Sequence, residues 1–276
     1  MTAYLRPRDL DEAIAAHAAH PDWMVLAGGT DLMVNANHRP APPGILDLWR
    51  LAELCFVRHA DGAIAIGAGT TWLEVERDPA VQAHLAPLAA AAREIGALQI
   101  QARATLGGNV GTSSPVGDSL PVLLALDAAI EVASPRGRRR VAYRDWCTGY
   151  RTTQLAADEL IVAVHVPLPG TATRTAWRKV GTRRAQSISK VMGAAAISLD
   201  GDLVVSARIA LGAVADRPIR VAAAEAVVRG LRLADAAEAA RAAVRTAIQP
   251  IDDVRSTARY RREVAGNLVA RFFSMS

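Results

Sequence analysis

Cysteine is almost absent from these 276 residues: Cys55 and Cys147 are the only two. They cannot build a disulfide framework. Nor can they supply the four thiolates of an ordinary iron–sulfur cluster or an all-cysteine zinc site. Both are read as small buried apolar residues. Aromatic residues are scarce too, at 4%, which leaves few platforms on which nucleic-acid bases could stack. No apolar run reaches the roughly 20 residues of a membrane span. The opening "MTAYLRPRDLDEA" has no apolar stretch after its charges, so no secretory signal is expected and the cytoplasm is the default location. Several signatures are also missing. There is no G-x-x-x-x-G-K-[ST] loop for a nucleoside triphosphate, and "GAGTTW" at Gly67 lacks the third glycine of a Rossmann fingerprint. Neither G-x-S-x-G nor H-E-x-x-H occurs, and the six histidines are dispersed without ligand spacing. Hydrolase and metal-centre readings find no residues to rest on.

What is present fits a globular chain of two modest domains, with 51% hydrophobic and 21% charged residues. The net charge of +5 is mostly scattered; the one dense run, "RGRRR" from Arg136 to Arg140, lies between two strand-like segments and is read as a solvated hairpin tip, not a nucleic-acid contact. "RDLDEAIAAHAAHP" has Asp9 as a helix cap with Glu12 three residues on. "WMVLA" is a short strand that stops at Gly28-Gly29. "TTWLEVERDP" is a short helix capped by Thr70 or Thr71, and "DSLPVLLALDA" a helix capped by Asp118 or Ser119. Two alternating runs around Asp200-Gly201 predict a hairpin, followed by three helical stretches. The change of pattern near Gly170 places one unit at 1–170 before a C-terminal α+β domain at 171–276.

Two glycine doublets carry the functional signal. "MVLAGGTDLMV" places Gly28-Gly29 after a strand, with Thr30 and Asp31 able to add side-chain bonds. "ARATLGGNVGTSSPVGDSLPVLLALDA" places Gly107-Gly108 between Thr105 and Asn109, then sets an acid at Asp118. Glycine lets a ligand approach the backbone, and consecutive free N–H groups form an anion nest suited to a pyrophosphate. Either loop alone could equally be a tight turn.

Together with "GYRTTQLAADELIVAVHVP" and "WRKVGTRRAQSISKV", these segments resemble the FAD-binding medium subunit of the molybdenum hydroxylases, the family of xanthine dehydrogenase and carbon monoxide dehydrogenase. The resemblance spans nearly the whole chain. It implies an α+β, vanillyl-alcohol-oxidase-like fold in which two subdomains of 1–170, about 1–55 and 56–170, hold FAD and the C-terminal α+β domain closes the cleft. Carried over residue by residue, Leu26, Ala27, Gly28, Gly29, Thr30, Asp31 and Leu32 form the first pyrophosphate loop. Thr105, Gly107, Gly108 and Asn109 form the second. Asp118 bonds ribose or ribityl hydroxyls, and Ile95, Ile161 and Lys179 are further FAD contacts. Core packing is the competing reading of Ile95 and Ile161, and a surface charge that of Lys179.

The resemblance further implies a small subunit with two [2Fe–2S] clusters and a large molybdopterin subunit as partners, assembled as a dimer of heterotrimers, with electrons passing through FAD to NAD+ or another acceptor. The segment after Lys179 departs from members that carry acids there, which leaves the acceptor open. No cysteine-bearing insertion is present, so no iron is expected in this chain. "AGGTDL" has no histidine for covalent attachment, so FAD is expected to bind non-covalently. Two rivals stand beside this reading: a stand-alone flavin reductase resembling UDP-N-acetylenolpyruvoylglucosamine reductase, and an assembly subunit with a decayed flavin site. The substrate, whether xanthine, another N-heteroaromatic, an aldehyde or carbon monoxide, belongs to the large subunit and is not readable here.

Overall fold

A computed structural model describes residues 2–38, 40–60, 62–183 and 186–274. The chain begins with a three-stranded parallel sheet in the order Ala3–Leu5, Gly44–Asp47, Met24–Leu26. Helix Leu10–Ala19 links Ala3–Leu5 to Met24–Leu26, with the Asp9 side chain accepting from Glu12 N as the spacing predicts. Leu10, Ala13, Leu46 and Leu48 pack from this unit onto Leu160 and Val162 of the next sheet. That sheet is antiparallel and five-stranded, in the order Val57–Ala60, Ala63–Gly67, Leu160–Pro167, Ala129–Ser134, Gly137–Ala142. Its central strand Leu160–Pro167 is flanked on both sides, which suits its run of Val and Ala. Helices Trp72–Arg77, Ala86–Glu94, Leu106–Thr112 and Leu120–Ala125 cover it and bury Trp72, Leu88, Leu106 and Leu123 completely.

A four-stranded antiparallel sheet comes next: Thr173–Val180, Val191–Asp200, Leu203–Gly212, Ile219–Arg220. The hairpin turns at Gly201, whose φ of +60° needs glycine. One face of this sheet sends Trp177, Ala194 and Ala210 into the preceding core; the other packs on helices Ala222–Val228, Leu233–Ala247 and Ala258–Ser274. No helix among the described residues is long and apolar enough to cross a membrane.

Of the two cap candidates Thr70 and Thr71, it is Thr71 that caps its helix, in a complete capping box with Glu74. The arginine run lies on the expected solvated hairpin, with Arg136 in its turn and Arg138, Arg139 and Arg140 on edge strand Gly137–Ala142, where Glu131 and Glu159 pair with them. The cysteines are half-buried, not buried; Cys147 Sγ lies 3.0 Å from Ser113 Oγ, and Cys55 Sγ 3.5 Å from the Gly69 carbonyl.

Candidate functional site

Between the N-terminal sheet and the five-stranded sheet runs a cleft of about 640 Å³, within the range of small-molecule and cofactor sites. The first glycine loop forms one wall. It leaves strand Met24–Leu26 and makes a left-handed turn at Gly29, φ +76°. Gly28 is needed for a different reason. A Cβ there would stand 1.8 Å from the Arg103 carbonyl oxygen, so segment 102–104 crosses it in direct backbone contact. Arg103 is held in that crossing by stacking its guanidinium 3.8 Å above the Trp49 ring. Among the described residues, no acceptor meets the backbone N–H groups from Ala27 to Asp31. Consecutive free donors on a glycine turn are what an anionic group requires.

The second glycine segment is built differently. It is the start of helix Leu106–Thr112, not an open loop. Gly107 N donates to the Ala68 carbonyl at 2.8 Å, Gly108 N to Thr105 Oγ1 at 3.1 Å, and Asn109 N to the Thr105 carbonyl at 3.0 Å. The nest expected here is therefore spent inside the protein: the Ala68 carbonyl takes the Gly107 donor, and Thr105, a good N-cap, takes those of Gly108 and Asn109. Three glycines in a seven-residue helix cost about 1 kcal/mol each against alanine. Their placement accounts for them. Gly107 packs on Ala68, Gly111 faces Ile161 Cδ1, and Gly108 is exposed, so this helix gives the cleft a smooth wall.

Every site residue expected from the sequence lines the cleft except Leu26 and Lys179. Leu26 lies just behind the loop, with its carbonyl accepting from Leu48 N at 2.7 Å. Lys179 is neither a surface charge nor a wall residue. Its Nζ is buried behind Asp118, 2.6 Å from Oδ2, and also reaches the Glu94 carbonyl at 3.2 Å. Ser189 Oγ donates to the other oxygen, Oδ1, at 2.6 Å. Asp118 therefore does not cap helix Leu120–Ala125, whose Ser119 makes no capping bond either. Burial pushes the Asp118 carboxyl above the usual carboxylate range, against the opposing pull of Lys179 and Ser189. Ile95 and Ile161 satisfy both of their readings: each packs on the core and lines the cleft. A register shift between Ile161 and Ala163 sits at this wall, where a bulge re-aims a side chain.

Sequence reasoning missed Ser189, Arg151 and His17. His17 projects from helix Leu10–Ala19 to the cleft edge, and burial lowers its pKa. Ile188, half-exposed, also lines the cleft. It belongs to the segment after Lys179, of which Arg184 and Ala185 lie outside the described residues. The donor set suits a flavin dinucleotide: open N–H groups for a diphosphate, an anchored carboxylate for sugar hydroxyls and apolar walls for rings.

Comparison with known proteins agrees with that fit. The family model described as the FAD binding domain in molybdopterin dehydrogenase matches residues 1–169, and the CO dehydrogenase flavoprotein C-terminal domain matches residues 176–276. A putative xanthine dehydrogenase FAD-binding subunit of Escherichia coli is 38% identical over 81% of this chain and 77% of its own. The glyceraldehyde dehydrogenase medium chain of Sulfolobus acidocaldarius is 32% identical over 98% and 96%. Among solved structures, a chain of the carbon monoxide dehydrogenase from Hydrogenophaga pseudoflava superposes with a TM-score of 0.93 at 31% identity, covering 98% of this chain and 95% of that one.

Proposed function

Because the chain belongs to the FAD-binding subunits of the molybdenum hydroxylase family, we propose that it is the electron-transfer subunit of such an oxidoreductase, relaying electrons from [2Fe–2S] clusters of a small partner subunit to NAD+ or another acceptor. A large partner subunit carries molybdopterin and oxidises the substrate. The observation that carries the reading is the run of N–H groups from Ala27 to Asp31 without an acceptor among the described residues, on a loop that lines one cleft together with the glycine-rich helix Leu106–Thr112. Bound FAD supplies redox chemistry that joins one-electron and two-electron transfer. This chain's residues do the rest. The first loop binds the diphosphate. Asp118 accepts from sugar hydroxyls, while Lys179 and Ser189 fix its orientation and keep a charged oxygen in place. Ile95 and Ile161 wall off water. No side-chain acid or base is required for that work. Residues 1–170 would hold the cofactor, and residues 171–276 would close the cleft, since Lys179 and Ser189 come from the C-terminal sheet and its connecting segment.

Acid extraction of the purified chain, with chromatography of the released flavin and metal analysis, tests this. The expected result is about one non-covalent FAD per chain, with neither iron nor molybdenum. Hydroxylase turnover should appear only after co-expression with the two partner subunits. Stoichiometric iron in the lone chain, or full turnover without partners, would assign the protein to another kind of flavoprotein.

A further inference from the structure

One cation lines the cleft among the described residues, and it is not the lysine expected from the sequence. Arg151 stands at the tip of the hairpin formed by Cys147–Gly149 and Thr152–Thr153. Its Nη1 lies 3.6 Å from Asp31 Oδ2, so the guanidinium reaches across to the open loop itself. Thr112 Oγ1 approaches the same carboxylate oxygen at 3.5 Å. The backbone of Arg151 is left-handed, φ +52°. In a two-residue turn, a positive φ at the second central position ordinarily belongs to glycine or asparagine. An arginine there is strained, and such strain concentrates at binding sites. A hairpin that had only to turn would do so better with glycine.

Charge supplies the second argument. The first loop offers bare N–H groups to an anion, yet the same loop carries the Asp31 carboxylate, exposed at its rim. An incoming diphosphate meets that like charge at short range. Arg151 neutralises it, and one weak contact leaves most of the five guanidinium donors unspent. Its side chain remains 40% exposed. We propose that Arg151 is a diphosphate-binding residue of the cleft, its guanidinium shared between Asp31 and the phosphate oxygens of the dinucleotide. This rests on the FAD reading of the cleft and extends it from backbone donors to a specific cation.

The test uses flavin-stripped wild-type protein, Arg151→Gly and Arg151→Lys, each titrated calorimetrically with FAD, ADP and riboflavin, with melting temperatures taken before ligand is added. The glycine variant should bind FAD and ADP at least about tenfold more weakly, through the loss of charge-assisted hydrogen bonds. Riboflavin, which lacks phosphate, should be unaffected. The melting temperature should hold or rise, because glycine relieves the left-handed position. The lysine variant keeps the charge without the fork and should show a smaller loss, while the deficit of the glycine variant, which comes from lost charge, should shrink as salt is raised. Unchanged FAD and ADP affinity in both variants would overturn the proposal, as would a lower melting temperature with affinity intact. If wild-type protein takes up ADP and FAD not at all, the cofactor reading itself fails; if it takes them up and the variants match it, only the role of Arg151 fails.

Discussion

In the first glycine doublet, the N–H groups from Ala27 to Asp31 have no acceptor among the described residues. In the second, Gly107, Gly108 and Asn109 donate to Ala68, to the Thr105 hydroxyl and to the Thr105 carbonyl. Both doublets border the same cleft, and in both the leading glycine is demanded by another chain segment: Arg103 crosses Gly28, and Ala68 packs on Gly107. The two part company at the next residues along the chain. After Gly28 comes a left-handed turn, whose donors meet no acceptor among the described residues. After Gly107 comes a capped helix that consumes them. One doublet can bind an anion directly. The other shapes a wall and leads to Asp118, so its polar contribution comes from a side chain.

The largest expected effect tests that side chain. Lys179→Met would leave the Asp118 carboxylate buried beside Ser189 alone, and breaking a buried pair of this kind costs about 3–5 kcal/mol. The sign with pH comes from the raised carboxyl pKa. The folded protein holds this proton more tightly than the unfolded chain, so Asp118 lowers stability as pH rises from the ordinary carboxylate value through the raised one. Removing Lys179 lifts that pKa further. The deficit of the variant should therefore be largest near neutrality and close as acid protonates Asp118. Denaturant unfolding of flavin-free protein between about pH 7 and about pH 4 reads it. A pH-independent deficit would mean that Lys179 contributes packing alone.

Next in size is the pair Gly28→Ala and Gly107→Ala. The first places a Cβ 1.8 Å from a backbone oxygen, the second 2.6 Å from Ala68 Cβ. Overpacking of this kind costs about 1–3 kcal/mol, and more where backbone must move, so Gly28→Ala should be the worse. The comparison sharpens when melting temperature and FAD affinity are measured together. Gly28→Ala should displace the open loop and lose FAD affinity beyond its loss of stability. Gly107→Ala should lose stability while the folded fraction binds FAD nearly as before. Equal affinity losses would erase the distinction between the loops.

Much of the fold is legible locally. The Asp9 cap, the Gly201 hairpin and the first glycine turn depend on residues a few positions apart, and the structure forms each of them. The pairings that complete the site are remote in sequence. Lys179 and Ser189 reach Asp118 across 61 and 71 residues, and no periodicity announces such a meeting. Asp118 reads as a helix cap because it precedes an apolar helix; tertiary partners outbid the cap. The second doublet reads as a nest because glycine permits one. Thr105, two residues before it, is also an N-cap signal that argues for a helix instead. Arg151 is hidden for the opposite reason: turn chemistry favours glycine or asparagine at a left-handed position, so an arginine there gives no signal in the sequence.

The smallest effect on stability, and the sharpest on the comparison, belongs to Gly108. It is the exposed member of the second doublet, and a Cβ there would meet only Thr105 Oγ1, at 3.0 Å. Inside a helix, alanine is favoured over glycine by about 0.5–1 kcal/mol, and the tight hydroxyl contact takes back part of that gain. Gly108→Ala should therefore leave the melting temperature of the flavin-free protein unchanged or slightly raised. Its methyl nevertheless projects from the wall that the other glycines keep flat. FAD affinity should fall, and Gly108→Val, with two further methyls, should lower it by about tenfold or more. Stability and affinity then move in opposite directions at one residue, which a residue kept for packing cannot produce. Fluorescence titration of the stripped variants with FAD, beside their melting curves, gives both numbers. If affinity holds in both variants, the second doublet borders the cleft without touching its occupant, and the first loop alone carries recognition.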